Sequence, residues 1–280
     1  MGAQLVKTNE KFSVVMSVYN NDNVEFFELA VSSLLCQTVP PDEIVLVVDG
    51  PVGIKIKSSI SKVGKSKKVR VVWLKENIGL AESRKIAIEN TKHDIFAVMD
   101  SDDVSVSDRF EKQLAAVQTY NCDVVGGIVE EFANSVGDLG RRRVVPIGNK
   151  NILRFSKWRN PINHVTLMFR KNAYLRVGGY SEIRHSEDWD LIVRMILCDA
   201  NVVNLNSVLV YARAGKGMME RRRRWSQVFG DCYLMKKFFN LGHINILTLA
   251  LNVSGRLILR LFPVLLTSLI YDFFMREKRN

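Results

Sequence analysis

No uninterrupted apolar run in this 280-residue chain reaches the roughly 18 residues that a membrane-spanning helix needs. The strongest apolar stretch, 241–271, is broken by His243, Arg256, Arg260 and Pro263. Residues 1–11 contain no apolar core of a secretory leader, so the expected location is the cytosolic side. The four cysteines, Cys36, Cys122, Cys198 and Cys232, are too scattered for a metal site and read as reduced side chains. No G-x-G-x-x-G follows any predicted strand, which argues against a dinucleotide oxidoreductase. Gly64-Lys65-Ser66 resembles the tail of a P-loop, but Ser59 stands where the earlier glycine is required. There is no repeat at a solenoid period and no low-complexity tract.

What is present suits a globular protein with a sizeable core: 47% hydrophobic and 25% charged residues, enough for one large domain or one domain with a small appendage. The formal net charge of +11 favours an anionic partner, whether phosphates, acidic lipid headgroups or nucleic acid. Nucleic acid fits least, because the arginines are not interleaved with stacking aromatics and no reader module is recognisable.

The first hundred residues alternate strand and helix patterns. Apolar, β-branched runs at 12–19, Glu43–Val48, 69–74 and Ile95–Met99 predict four strands. Phe27, Val31, Leu34 and Leu35 fall at helical spacing before Pro40-Pro41, and Leu80–Glu89 predicts another helix after the Asn77-Ile78-Gly79 turn. This order implies right-handed crossovers and a parallel sheet with helices on both faces, an α/β nucleotide-binding layer. Further on, a helix is expected over 107–120, strands over 124–129, 161–170, 202–205 and 208–211, and a helix carrying the stripe Trp189, Ile192, Val193, Ile196 and Leu197. Two amphipathic helices are expected in 241–271. They can lie in a membrane interface, with Arg256 and Arg260 reaching acidic headgroups, or pack on the preceding domain.

Two acidic stretches carry the chemistry. Asp100-Ser101-Asp102-Asp103 follows a strand expected to be buried on both faces, where open α/β sheets bind ligands. Three carboxylates in four residues repel one another, and a hard cation with oxygen ligands, Mg²⁺ or Mn²⁺, would offset that. An acidic turn capping the next helix is the alternative. Glu187-Asp188 opens the helix of the Trp189 stripe, and an arginine-dense loop spans 213–225. A metal turn, a second carboxylate pair and arginines suit group transfer from a nucleotide diphosphate: the cation and arginines offset charge on the leaving group, and a carboxylate takes a proton from the attacking hydroxyl.

In this order the motifs resemble those of the family 2 glycosyltransferases of the GT-A fold, in particular bacterial enzymes of O-antigen, capsule or exopolysaccharide synthesis. The series comprises Ser17-Val18-Tyr19-Asn20, the segment 43–51, Asn77-Ile78-Gly79-Leu80-Ala81 with Arg84, Asp100-Ser101-Asp102-Asp103 and Asn160-Pro161-Ile162-Asn163-His164. Gly178-Gly179-Tyr180, Glu187-Asp188 and the arginine loop complete it. The resemblance implies a GT-A domain over 1–225, its nucleotide-sugar half at about 1–104 and its acceptor half at 105–225, followed by a membrane-associating helical segment at 226–280. It implies that Ser17, Tyr19, Asp49 and Arg84 line a uridine pocket, that Asp100 lies near ribose and diphosphate, and that Asp102 holds Mn²⁺ or Mg²⁺.

Asp188 matches the catalytic base, beside Glu187 in the substrate site, and a single displacement there would invert the anomeric centre. A first-turn carboxylate also feels the positive end of the helix dipole and stays ionised, which is equally what a purely structural helix-start acid does. Arg221 and Arg224, in Arg221-Arg222-Arg223-Arg224-Trp225, would bind diphosphate, either of the leaving UDP or of the acceptor, unless they form a solvated basic face. One departure concerns Val48-Asp49, where the family commonly shows two adjacent aspartates. His164 and His185 are a core or acceptor-site residue and a candidate near metal or acceptor, respectively. The implied partners are a nucleotide-sugar donor, a lipid-linked saccharide acceptor such as one on undecaprenyl diphosphate, and the cytoplasmic face of the inner membrane, bound peripherally. A sugar-nucleotidyltransferase, a glycoside hydrolase using Asp102 with Glu187 or Asp188, and a non-catalytic membrane-associated protein are the rival readings.

Overall fold

A computed structural model of the chain describes residues 10–183, 186–214, 225–261 and 277–278. At its centre lie four parallel strands, β1 (Phe12–Val18), β2 (Glu43–Val48), β3 (Val69–Trp73) and β4 (Ile95–Met99), in the order β4-β1-β2-β3. Alternate side chains divide their burial between two faces, as the two-residue period of a strand requires. Val14, Met16 and Val18 pack with α1 (Val24–Leu35), α2 (Ile54–Val63) and α4 (Arg109–Tyr120). Val15, Val45 and Val98 pack with α3 (Leu80–Glu89), α6 (Lys171–Arg176) and α7 (Glu187–Leu197). Both faces are therefore covered, as the continuous apolar runs imply.

Beyond β4 the sheet becomes mixed. β8 (Met168–Arg170) pairs antiparallel with β4 and with β6 (Val124–Phe132), and β6 pairs antiparallel with β7 (Arg141–Arg143). The short β10 (Glu277–Lys278) lies against β7. On its other side β6 runs parallel to β9 (Val202–Arg213), which also pairs with β5 (Val104–Ser105). The wholly parallel sheet expected from the strand–helix alternation thus holds only through β4. Segment 161–170 is not one strand: its first part, with Pro161 and the polar Asn163 and His164, folds into a loop and a 3-10 turn at His164–Thr166, leaving three residues of strand. Segments 202–205 and 208–211 join as one strand, which absorbs the intervening residues through register shifts against Gly127 and Ile128.

Helix α7 is apolar on nearly all sides because it is buried on two. Leu191, Ile192 and Met195 face the sheet, with α5 (Asn149–Ser156) contributing Ile152 to the same cluster. Trp189 and Val193 meet Leu234, Met235 and Phe238 of α8 (Trp225–Asn240), with Leu249 and Val253 of α9 (Ile246–Leu261) alongside. Buried Asp190 ties the layers together, accepting Arg194 at 2.7 Å and Lys237 at 2.6 Å. The helix pair packs on the domain by this inner face. Its outer side leaves Phe229, Tyr233, Ile246, Leu247, Leu251 and Ile258 exposed. Among the described residues no helix is long and apolar enough to cross a membrane.

Candidate active site

Strand register brings the predicted donor residues to one edge. Met16 lies beside Met99 and Val18 beside Val48, so Ser17, Asp49 and Asp100 emerge together at the carboxyl ends of β1, β2 and β4. There Ser17, Tyr19, Asp49, Asp100 and Asp102 line a cavity of about 390 Å³, joined by Asp22. The Asp49 carboxylate accepts the Ile78 and Gly79 amides at 2.8 and 3.0 Å, fixing the turn that starts α3. Gly50 makes that turn possible: its φ is +85°, and a Cβ there would lie 2.6 Å from the Asn77 nitrogen.

Arg84 is not in the wall of this cavity. It lies beneath, with its side chain only 7% exposed, and donates to Asp100 at 2.6 Å while approaching Glu187 at 4.0 Å. Burial is the largest influence on the Asp100 carboxyl and would raise it, but the Arg84 charge and hydrogen bond, together with His164 and Arg143, outweigh it and hold the group below its ordinary value. Arg109, fully buried in α4, braces the same strand end, donating to the Val98 carbonyl at 2.9 Å.

The remaining acids behave differently. Partial burial and the charges of Asp100 and Asp22 push Asp102 from 3.8 up to about 6. Burial also raises Asp22, which accepts the Tyr19 amide and the Ser101 hydroxyl. Burial, with the charges of Asp100 and Asp102, raises Asp103 well above its ordinary value, and its Oδ1 accepts the Arg213 amide at 2.8 Å, anchoring the turn to β9. Among the described residues no three His, Cys, Asp or Glu side chains form a ready-made metal cage. Mg²⁺ and Mn²⁺ do not need one where one or two carboxylates and substrate phosphates complete the shell. Asp102 and Asp22, raised first by burial and then by the charge of Asp100, offer the oxygen ligands that such an ion takes.

Asp188 lies across Asp100 from this cavity. A second one, of about 350 Å³, is lined by Asp100, Asp188, Asn160, His164, Arg143 and Arg159, among others. The Asp188 Oδ2 accepts Asn160 Nδ2 at 2.8 Å and its Oδ1 the Trp189 amide at 2.8 Å, which orients the carboxylate in the first turn of α7. Burial, reinforced by the Arg84 charge, lowers the His164 imidazole to about 4, so it is neutral near pH 7. Its Nε2 lies 3.4 Å from the Tyr180 hydroxyl.

The structure therefore gathers Ser17, Tyr19, Asp49, Asp100 and Asp102 in one cavity and Asp188 in its neighbour, with Arg84 and Glu187 between α3 and α7. Arg221, Arg224 and His185 lie outside the described residues. Sequence reasoning passed over Asp22, although residues 20–23 leave β1 at the same edge, and assigned no role to Asn160, Arg143 or Arg159.

Two adjoining cavities at the carboxyl edge of a parallel sheet, one polar and acid-turned, the other holding an oriented carboxylate, fit the GT-A glycosyltransferase class that the motifs imply. The sequence profile described as "Glycosyl transferase family 2" matches residues 13–182, and the chain belongs to that family. Over 95% of its length it is 34% identical to an uncharacterized glycosyltransferase of Haemophilus influenzae, covering 100% of that protein. It is 32% identical to the amylovoran biosynthesis glycosyltransferase AmsE of Erwinia amylovora, over 93% of this chain and 98% of that one. It is also 32% identical to the Escherichia coli UDP-Gal:alpha-D-GlcNAc-diphosphoundecaprenol beta-1,3-galactosyltransferase, over 95% and 97%. The solved structure of S. aureus TarS in complex with UDP-GlcNAc shares the fold with a TM-score of 0.65 at 18% identity, over 88% of this chain and 71% of that one. The family and the GT-A fold implied by the motifs are thereby established.

Proposed function

We propose that this glycosyltransferase is inverting and metal-dependent, and moves a sugar from a UDP-sugar to a lipid-linked saccharide at the cytoplasmic face of the membrane during surface polysaccharide synthesis. The observation that carries the reading is the pair of cavities sharing Asp100, one lined by Ser17, Tyr19, Asp49 and Asp102, the other by Asp188. Relatives named for amylovoran synthesis and for galactosyl transfer to a diphosphoundecaprenol acceptor support the pathway and the acceptor type.

In this reading the first cavity takes the nucleotide, with Asp49 holding the turn against it. Asp102 would hold Mn²⁺ or Mg²⁺, which would supply charge compensation for the diphosphate. The acceptor hydroxyl enters the second cavity beside Asp188. Its oxygen bonds to the anomeric carbon as the bond from that carbon to the phosphate oxygen breaks; the electron pair leaves with UDP, and the hydroxyl proton passes to the Asp188 carboxylate. Attack from the face opposite the leaving group inverts the centre. Asn160 keeps the accepting oxygen of Asp188 in place.

Membrane association is supported by the exposed apolar side of α8 and α9 and by the net charge of +11. The reading is tested by calorimetric titration of UDP with Mn²⁺ or with EDTA, on the wild type and Asp102→Ala. Metal-dependent binding lost in the variant is expected; absence of UDP binding under both conditions refutes the donor assignment. Sedimentation with anionic vesicles tests the surface, and Leu247→Asp/Leu251→Asp is expected to reduce the bound fraction.

A further inference from the structure

The second cavity carries charges of both signs. Its acidic part holds Asp100, Asp103 and Asp188, and its basic part Arg143 and Arg159. Only the acidic part is used in proton transfer. The guanidiniums come from elements that bring positive charge there by construction. β7 presents three consecutive arginines to two buried acids of β6: Arg142 pairs with Glu130 at 2.9 Å, while Arg141 and Arg143 share Glu131 at 3.7 and 3.3 Å. Two guanidiniums on one carboxylate leave the hairpin positive where it meets the cavity. The Arg159 Cζ lies over the Phe155 ring, 4.5 Å from its centroid, a cation–π contact that helps hold it in the wall. His164 Nδ1, in the same wall, is buried and has no hydrogen-bond partner among the described residues, an open polar position for a ligand hydroxyl.

The basic part also adjoins the helix pair. Immediately before Arg159, the Trp158 carbonyl accepts Arg256 of α9 at 3.2 Å and the Lys157 carbonyl accepts Asn252 at 3.1 Å. Trp158 is itself 44% exposed, and α9 leaves Ile246, Leu247, Leu251 and Ile258 uncovered.

We propose that Arg143 and Arg159 form a diphosphate subsite in the acceptor cavity, gripping the anionic link between saccharide and lipid so that the lipid leaves past Trp158 toward the apolar face of α9. This rests on the transferase reading and adds to it the residues that select a phosphorylated lipid acceptor. Guanidinium pairs bind phosphate oxygens bidentately, which a lysine cannot do. The subsite is separate from the donor diphosphate, which the acidic turn receives on the other side of Asp100.

The test is titration of farnesyl diphosphate into wild-type protein saturated with UDP at matched free Mn²⁺, so that the donor position is filled. Inorganic diphosphate and farnesol serve as the two controls. Farnesyl diphosphate is expected to bind more tightly than either control, and Arg159→Gln and Arg143→Gln each to weaken it roughly ten- to hundredfold, as loss of a charged hydrogen-bond partner does. Arg143→Lys, which keeps the charge against Glu131, guards against misfolding and is expected to bind more weakly than the wild type but better than Arg143→Gln. UDP affinity, measured on the same samples, is expected to stay within twofold. Failure of farnesyl diphosphate to bind the UDP-saturated wild type, or binding that survives both glutamine substitutions, overturns the subsite. Inorganic diphosphate binding as tightly as the farnesyl form overturns the lipid assignment. If UDP itself does not bind, the UDP-donor assignment falls instead, and titration of the protein without UDP still reads the two arginines.

Discussion

Asp102 should cost the unliganded protein stability, and Asp102→Asn should recover it. In the folded chain this carboxyl titrates near 6 instead of 3.8, because partial burial and the charges of Asp100 and Asp22 disfavour its ionised form. A raised acid contributes nothing below its unfolded pKa, becomes progressively destabilising from about pH 4 to pH 6, and carries its full penalty above that. The displacement corresponds to an upper bound of about 3 kcal/mol. The residue as a whole keeps substantial solvent contact despite that partial burial, so screening leaves about 1 kcal/mol. For a chain of this size that is a rise in Tm of about 2 to 3 °C for Asp102→Asn at pH 7.5, fading to nothing by pH 4. Calorimetric or fluorescence melts across that range, in EDTA, measure it directly. The same variant should lose the stabilisation that UDP with Mn²⁺ gives the wild type, about 2.7 kcal/mol at a hundred times Kd. A variant that is less stable than the wild type at pH 7.5, or a gain that does not shrink on acidification, would refute the electrostatic account of the turn.

Replacing Asp188 by Asn removes the proton acceptor while leaving a side chain that Asn160 can still hold. It is expected to lower kcat roughly 10²–10⁴-fold in a transfer assay without changing UDP affinity. Arg84→Ala leaves Asp100 and Glu187 facing each other without their shared cation, a loss of about 3 kcal/mol or more in urea unfolding. Gly50→Ala forces a left-handed backbone on a residue with a Cβ against the Asn77 amide, at about 1–3 kcal/mol, and weaker UDP binding by calorimetry should accompany it.

The central layer was legible because its signals are local. The apolar runs of β1, β2 and β4 have no alternative but burial on both faces, and an acidic turn at such a strand's end has few structural uses. What the sequence hid was the division of labour inside that turn. Asp103 looks equivalent to Asp102, yet it is spent on the Arg213 amide, because the pairing of β5 with β9 joins residues 110 apart in sequence. Arg84 carries no signal that it sits under the pocket instead of in its wall; that follows from the way α3 packs over the ends of β1 and β2. Arg141, Arg142 and Arg143 read as a basic loop because their two acid partners lie in β6, across a turn whose pairing no short-range pattern reveals. Val165, Leu167, Met168 and Phe169 suggested a long strand, but Pro161 and the side-chain bonds of Asn163 to the Gly127 and Arg143 carbonyls commit the first part to a turn. That turn lines the second cavity through Ile162, Asn163 and His164.

Arg84 connects the two halves of the site. It leaves α3, whose N-terminus is fixed by Asp49 in the donor cavity, and reaches both Asp100 in the shared wall and Glu187 beside Asp188. A nucleotide that displaces the 77–79 turn therefore moves the start of α3, and with it the cation that positions the first turn of α7. α7 is in turn clamped from outside by α8 through Asp190 and Lys237. The Asp188 carboxylate, the proposed proton acceptor, is thus held between the Asp49 side of the sheet and the helices that carry the exposed apolar face. Arg84 thus borders both halves of the site, and removing either acid would leave its buried guanidinium short of a partner, which is costly.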